Sequence, residues 1–268
     1  MFDRLCPLKE AARDTPRGLA LLIKGRSFSF SELDQESDRL ALLLHRIGIQ
    51  PGSRIAVFHP PDWRLIALFF ALWRLGATLC PLNLRLTKVQ IEECLFRLDP
   101  ALYLTDLEEI PPSILPAPCF LPSPSLLLFT SGSTGTPKIA ALNLSQLLAS
   151  AQGALKALDL CAQDQWLLTL PLYHVGGIGI LIRCILARAT LVLDEKSPHI
   201  THLSYVPTQL YHASPIYPKL RCLLLGGASI SSYPSSLPIY LTYGLTEMSS
   251  LVALRYTPPL KMGHYYLG

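Results

Sequence analysis

The densest group of chemistry-bearing residues is Phe129-Thr130-Ser131-Gly132-Ser133-Thr134-Gly135-Thr136-Pro137-Lys138, directly after the apolar run Leu126-Leu127-Leu128. It contains five hydroxyls, two glycines and one lysine. Glycines let a backbone turn with positive φ and let its amides come close to a ligand. Successive amides and hydroxyls can wrap phosphate oxygens as an anion nest, and a lysine at the end adds a compact positive charge. A polar surface loop is the competing reading of the same composition. The spacing speaks against a Walker A loop, which needs Gly-x-x-x-x-Gly-Lys-Ser/Thr with a helix opening at the lysine. Here Pro137 precedes Lys138 and Ile139 follows it, which disfavours a P-loop kinase or GTPase.

Three further places carry possible chemistry. Tyr243-Gly244-Leu245-Thr246-Glu247 reads by itself as a strand-to-helix turn with Glu247 on a solvated first turn. His174 is followed by Gly176 and Gly177, and a lone histidine next to glycines is more often a hydrogen-bonded structural residue. Arg183 is the one charge in the apolar stretch 178–186. A buried arginine is costly unless paired, so a protein carboxylate or an anionic substrate must face it.

These residues need elements to hold them. Ser31 with Asp34 reads as a capping box opening a helix. Leu33, Leu40, Leu44 and Ile47 give that helix one apolar face, with Gly48 at its end. Residues 54–59 read as a buried strand and 62–75 as a helix closed by Gly76; 77–81 is extended. Thr87 with Gln90 caps a helix whose apolar face is Val89, Ile91, Leu95 and Leu98, and 101–105 is a strand. Six prolines in 111–124 forbid regular structure there. Past them the alternation restarts: strand 126–129, helix 145–158, strand 166–170, an apolar segment 178–186, strand 190–193. Short strands follow at 203–206, 222–225 and 239–242. Strand–helix alternation predicts an α/β fold, two packed βαβ sub-domains with largely parallel sheets covered by helices. The sequence divides into an N-terminal α/β sub-domain at 1–110, a connector at 111–124 and a second α/β sub-domain at 125–268.

Composition narrows the class. The 268 residues are 50% hydrophobic and 16% charged, against about 25% charged in an ordinary soluble domain. Disorder and coiled coil are excluded. The longest clean apolar run, 65–73, is far below the roughly 20 residues a bilayer needs, and Met1-Phe2-Asp3-Arg4 shows no signal core. Neither a membrane span nor secretion is expected. The net charge of +4 is spread along the chain, so nucleic acid is not an expected partner. Seven scattered cysteines, with no Cys-x-x-Cys, read as reduced thiols of a cytoplasmic protein.

The loop at 129–138 resembles the phosphate-binding signature of the adenylate-forming superfamily, which includes acyl-CoA synthetases, luciferases and peptide-synthetase adenylation domains. Further segments match in order. Leu170-Pro171-Leu172-Tyr173-His174-Val175-Gly176-Gly177 resembles the acyl-pocket motif, and Val206-Pro207-Thr208 the next pocket strand. Leu224-Leu225-Gly226-Gly227-Ala228 resembles the adenine-side strand, and Tyr243 to Glu247 the nucleotide and magnesium motif. Within the superfamily, three stretches (166–183, 205–210 with 224–228, and 243–254) are most similar to the o-succinylbenzoate–CoA ligases of menaquinone synthesis.

The resemblance implies an acid–thiol ligase. A carboxylate attacks the α-phosphorus of ATP, pyrophosphate leaves, and CoA captures the acyl-adenylate. It implies that Thr130, Ser131, Gly132, Ser133, Thr134, Gly135 and Lys138 hold the outer phosphates, and that Thr246 serves the α-phosphate. It further implies that Glu247 takes Mg²⁺, that Tyr243 and Gly244 with Gly227 and Ala228 line adenine, and that His174, Gly176, Arg183 and Thr208 line the acid pocket. Another aryl- or fatty-acid ligase, or an inactive nucleotide-binding relative, stays open. The pattern breaks after Gly268: family members carry a later Thr-Gly-Asp segment and a C-terminal lid with the catalytic lysine. An exposed apolar patch near the C-terminal end, for that lid or for a second copy of the chain, is therefore expected.

Overall fold

The computed structural model describes residues 6–108, 125–130, 137–194, 196–212, 217–230, 233–234 and 236–257. Helix α1 (Pro7–Asp14) leads into the strands β1 (Leu19–Ile23) and β2 (Arg26–Ser29). Next come α2 (Phe30–Arg46), β3 (Arg54–Val57), α3 (Trp63–Leu75), β4 (Thr78–Pro81), α4 (Lys88–Leu98) and β5 (Leu102–Leu104). Past the prolines lie β6 (Leu126–Thr130), β7 (Lys138–Leu142), α5 (Leu144–Leu158), β8 (Gln165–Leu167), α6 (Val175–Ala187) and β9 (Thr190–Val192). The described chain ends with β10 (His202–Tyr205), α7 (Pro207–His212), β11 (Cys222–Leu225), β12 (Ile239–Leu245), a 3-10 turn (Thr246–Met248) and β13 (Ser250–Thr257).

The fold is α/β, with two largely parallel sheets covered by helices. The larger has the order β13-β12-β11-β10-β8-β9-β1-β2 and the smaller β5-β3-β4-β6-β7. Pairs β1–β2, β6–β7 and β12–β13 are antiparallel. The sheets do not divide the chain at the proline run. Strands β1 and β2 join the larger sheet, whereas β6 and β7 join the smaller. Sheet membership is a nonlocal pairing choice that local patterns do not encode, so the sequence boundary at 111–124 separates no sheet from another; residues 111–124 themselves lie outside the described residues.

Local signals explain where elements start and stop. Helix α3 opens at Asp62, whose carboxylate accepts the Leu65 amide at 2.9 Å, and closes at Gly76 in the left-handed region. The capping box of α2 is Ser29 with Glu32, two residues earlier than Ser31 with Asp34. Ser29 ends β2 in extended backbone, as an N-cap requires, and fully buried Phe30 pulls the first turn inward. Helix α4 buries Cys94 and Leu98, while Val89 is 73% exposed, off the inward face. Strand β7 was hidden in the sequence because Lys138 reads as the end of the loop. Helices α3 and α6 are apolar nearly all round and buried, as core helices are. One apolar cluster joins Leu21 and Leu191 of the larger sheet, Ile55 and Leu79 of the smaller, and Ile66 and Ile180 of helices α3 and α6. Each such buried aliphatic side chain stabilises by about 1.5–3 kcal/mol relative to exposure.

Among the described residues no helix is long and apolar enough to cross a membrane, and six cysteines are free thiols. Tyr243, Met248, Val252 and Tyr256 stand exposed on the β12–β13 region, where an apolar surface was expected.

Candidate active site

Strands β8, β10, β11 and β12 run parallel. The segments leaving their carboxyl ends therefore gather along one edge of the sheet, the usual place for a ligand crevice in an α/β fold. A cleft of about 380 Å³ lies there. Its lining includes Leu170 and Pro171 after β8, Val206 after β10, Gly226 and Gly227 after β11, and 242–246 of β12 and the turn beyond it. The start of α6 supplies His174, Val175 and Gly176, and its third turn supplies Arg183.

His174 is the N-cap residue of α6 but makes no side-chain capping bond. Its ring packs against Tyr173 with centroids 4.8 Å apart. One side opens to solvent; burial of the other lowers its pKa, so the ring is neutral at pH 7. It can accept or donate a hydrogen bond in the cleft without adding charge.

Arg183 is the least satisfied polar group there. It is 2% exposed, and burial pulls its pKa down to about 10, so it stays cationic near neutrality. Its Nη2 donates to Ser250 Oγ at 3.4 Å and its Nε has no partner. Its guanidinium lies 5.7 Å from the Trp166 ring centroid. Among the described residues no carboxylate forms an ion pair with it.

Behind Trp166 lies a second polar cluster. Trp166 packs against His202 with tilted rings, centroids 5.1 Å apart, and donates from Nε1 to Ser204 Oγ at 3.2 Å. Burial pushes the Asp164 carboxyl up, but hydrogen bonds from Arg221 and the Cys161 amide, with His202 nearby, hold it at about 2. His202 is wholly buried, its Nε2 has no partner, and burial drives its pKa down to about 4. This cluster does not line the cleft, apart from Ser204.

The structure thus gathers His174, Gly176, Arg183, Gly227, Tyr243, Gly244 and Thr246 around one cleft. Thr208 and Ala228 do not line it. Pro207 opens α7 instead of extending a strand, which turns Thr208 outward. Tyr205 and Val206 line the cleft in its place. Glu247 is exposed on the 246–248 turn, beside Thr246 in the chain. Thr130 and Lys138, the two feet of the hydroxyl-rich loop, pair across β6 and β7. Strand β7 packs against the 246–248 turn. Ser131, Gly132, Ser133, Thr134 and Gly135 lie outside the described residues. Sequence reasoning assigned no role to Ser204, Thr242, Ser250 and Leu251, which also line the cleft. A small polar residue inside the otherwise bulky strand 203–206 was the available signal for Ser204.

The AMP-binding enzyme family model matches residues 8–120 and 115–265. The chain belongs to this family. Similar family members include 2-succinylbenzoate–CoA ligases of Salmonella typhimurium, 32% identical over 262 residues, and of Escherichia coli, 31% over 263. Each alignment covers 88% of this chain and 58% of the relative, so the chain spans less than two thirds of these proteins. Wild-type Escherichia coli MenE with a bound m-phenylether-linked analogue of OSB-AMS superposes with a TM-score of 0.77 at 28% identity, over 94% of this chain and 62% of that one. The o-succinylbenzoate CoA synthetase of Bacillus subtilis in complex with ATP and magnesium ion gives 0.82 at 24% identity, over 94% and 62%, a likeness of fold.

Proposed function

We propose that the chain is the nucleotide- and acid-binding body of an ATP-dependent acid–CoA ligase acting on 2-succinylbenzoate. The observation that carries this reading is Arg183: a buried cation with no carboxylate partner among the described residues, lining the same cleft as Tyr243 and Thr246. A substrate with two carboxylates presents one to ATP and leaves one for Arg183. A fatty acid has nothing to offer the guanidinium. Reduced thiols and a biosynthetic substrate suit the cytoplasm.

The residues divide the work by position. Exposed Tyr243, with Gly227 and Gly244, forms the open part of the cleft and suits stacking of adenine. Thr246 presents a hydroxyl for the α-phosphate where the carboxylate attacks. Neutral His174 and Gly176 border the acyl group. Lys138 and Thr130, with the loop between them, take the outer phosphates in this reading. The loss of pyrophosphate concentrates charge on phosphate oxygens, so fixed donors there supply most of the help. Glu247 suits Mg²⁺: it is an exposed carboxylate free of ion pairs among the described residues, and this ion takes one or two carboxylates with phosphate oxygens and water. When bound, the metal neutralises the charge that develops on the leaving pyrophosphate.

ATP–pyrophosphate exchange with 2-succinylbenzoate, benzoate and octanoate tests the proposal. It is run on this chain alone and on the chain fused to the C-terminal part of the Escherichia coli relative. Exchange fastest with 2-succinylbenzoate supports it; octanoate preferred over the diacid contradicts it. Nucleotide binding without exchange in either protein favours an inactive relative.

A further inference from the structure

The arginine that reads the acid does not hold itself in place. This inference rests on Arg183 as the grip for a second carboxylate, and asks what aims it. Ser250 Oγ is its hydrogen-bond acceptor, and Ser250 also lines the cleft.

The backbone at Ser250 is unusual. Its φ is 96°, and Ser249 before it has φ 59°. Positive φ is uncommon outside glycine, and persists only where surroundings hold it. Three features do so here. The β12–β13 pairing shifts register at Tyr243/Gly244. A Cβ on Gly244 would lie 1.8 Å from the Ser250 carbonyl oxygen, so only glycine leaves room for that strand. The Ser249 carbonyl accepts the Ser150 hydroxyl of α5 at 2.8 Å. On the opposite side, a Cβ on Gly179 would sit 3.2 Å from Arg183 Nη2 and 3.3 Å from Ser250 Oγ, so a bare residue keeps their meeting place open.

Helix α5, the register shift and two glycines thus converge on a single hydrogen bond. We infer that Ser250 is a positioning residue for acid recognition. Its strained backbone carries the hydroxyl to Arg183 Nη2, fixes the guanidinium plane against Trp166, and leaves the remaining N–H groups facing the cleft for a carboxylate. A serine accepting one donor satisfies part of the cation without neutralising it, which a carboxylate at this place would do. The hydroxyl proton is free to bond the same ligand oxygen. Ser250 thereby sets the preference for a dicarboxylic over a monocarboxylic acid.

Titration calorimetry tests this with three acids: 2-succinylbenzoate, 4-oxo-4-phenylbutanoate (no ring carboxylate) and 2-butyrylbenzoate (no chain carboxylate). The native chain is expected to prefer the diacid by tenfold or more, and Arg183→Met to lose that preference. Ser250→Ala is expected to weaken the diacid about tenfold, as loss of a hydrogen bond to a charged group does, and with it the monoacid that keeps the carboxylate facing Arg183, while the other monoacid is unchanged. Ser250→Gly is expected to show the same loss while melting no lower than Ser250→Ala, since glycine relieves the positive φ. It keeps the test decisive if the alanine variant folds poorly. Diacid preference retained in both Ser250 variants, or equal weakening of all three acids, overturns the role of Ser250 and leaves Arg183 standing. No diacid preference in the native chain overturns the reading of Arg183 itself, and this inference with it.

Discussion

Two buried arginines on two core helices show how one side chain serves opposite ends. Arg74 in α3 is 7% exposed and Arg183 in α6 is 2% exposed. Arg74 is saturated: Nη2 meets Asp34 at 2.5 Å, Nη1 meets Asp38 at 2.6 Å and the Asp34 carbonyl at 3.1 Å. Arg183 has a serine at 3.4 Å and an orphaned Nε. Taking a guanidinium out of water is costly in both places. Where the chain supplies its own carboxylates the cation is architecture, tying α3 to α2. Where the described residues supply none, inside a cleft, the proposed function gives the compensation to a ligand.

Removing the saturated arginine gives the largest expected effect. Arg74→Ala leaves Asp34 without its cation and Asp38 with only Lys9 at 3.8 Å, and is expected to cost about 3–5 kcal/mol in urea unfolding. A cost near zero would break the contrast, because it would make Arg74 as dispensable to the fold as Arg183.

A second effect comes from the cluster behind Trp166. The unfolded chain protonates His202 near 6.5, whereas the folded chain refuses that proton until about 4. Below the upper value the unfolded state binds more protons, so stability falls as pH drops through this window, by about 3 kcal/mol as an order of magnitude. Below it, Asp164, held at about 2, withdraws stability further as it protonates. His202→Phe is expected to flatten the upper part of the urea-unfolding profile against pH. A profile unchanged by the substitution contradicts the burial argument.

For Arg183, the fold and the ligand separate. Arg183→Met removes an uncompensated buried charge, so unfolding stability is expected to stay within about 1 kcal/mol or rise. Diacid binding is expected to weaken by about 1.5–3 kcal/mol, as for a charge-assisted hydrogen bond. A variant that destabilises like Arg74→Ala would erase the contrast.

The smallest effect is expected at exposed Lys138. Lys138→Ala is expected to weaken ATP roughly threefold to fivefold, the scale of an exposed charge pair, and AMP less, because AMP lacks the outer phosphates. Equal weakening in equilibrium dialysis would remove the loop from the outer-phosphate site.

Much of this was legible from local patterns. Asp62 and Gly76 bound α3 because a cap and a left-handed stop are local devices. Arg183 stood out as one charge in an apolar run. The family signature also pointed to residues that the fold gathers, His174, Gly227, Tyr243 and Thr246 among them. The rest depends on nonlocal pairing. Nothing near Arg74 announces Asp34 and Asp38, which lie 40 and 36 positions earlier in the chain. Nothing in 19–29 announces that β1 and β2 join strands from the far half. Thr208 was misplaced because Pro207 suits both a strand end and a first helical turn. Ser250 had no signal, since its importance lies in a backbone angle.

The most direct test of a shared cleft is competition against the sulfamoyl-adenosine conjugate of 2-succinylbenzoate, which joins both ligands in one molecule. The account predicts binding of one conjugate per chain, displaced by ATP alone and by 2-succinylbenzoate alone. Displacement by one and not the other, or by neither, would place nucleotide and acid on separate surfaces and contradict it.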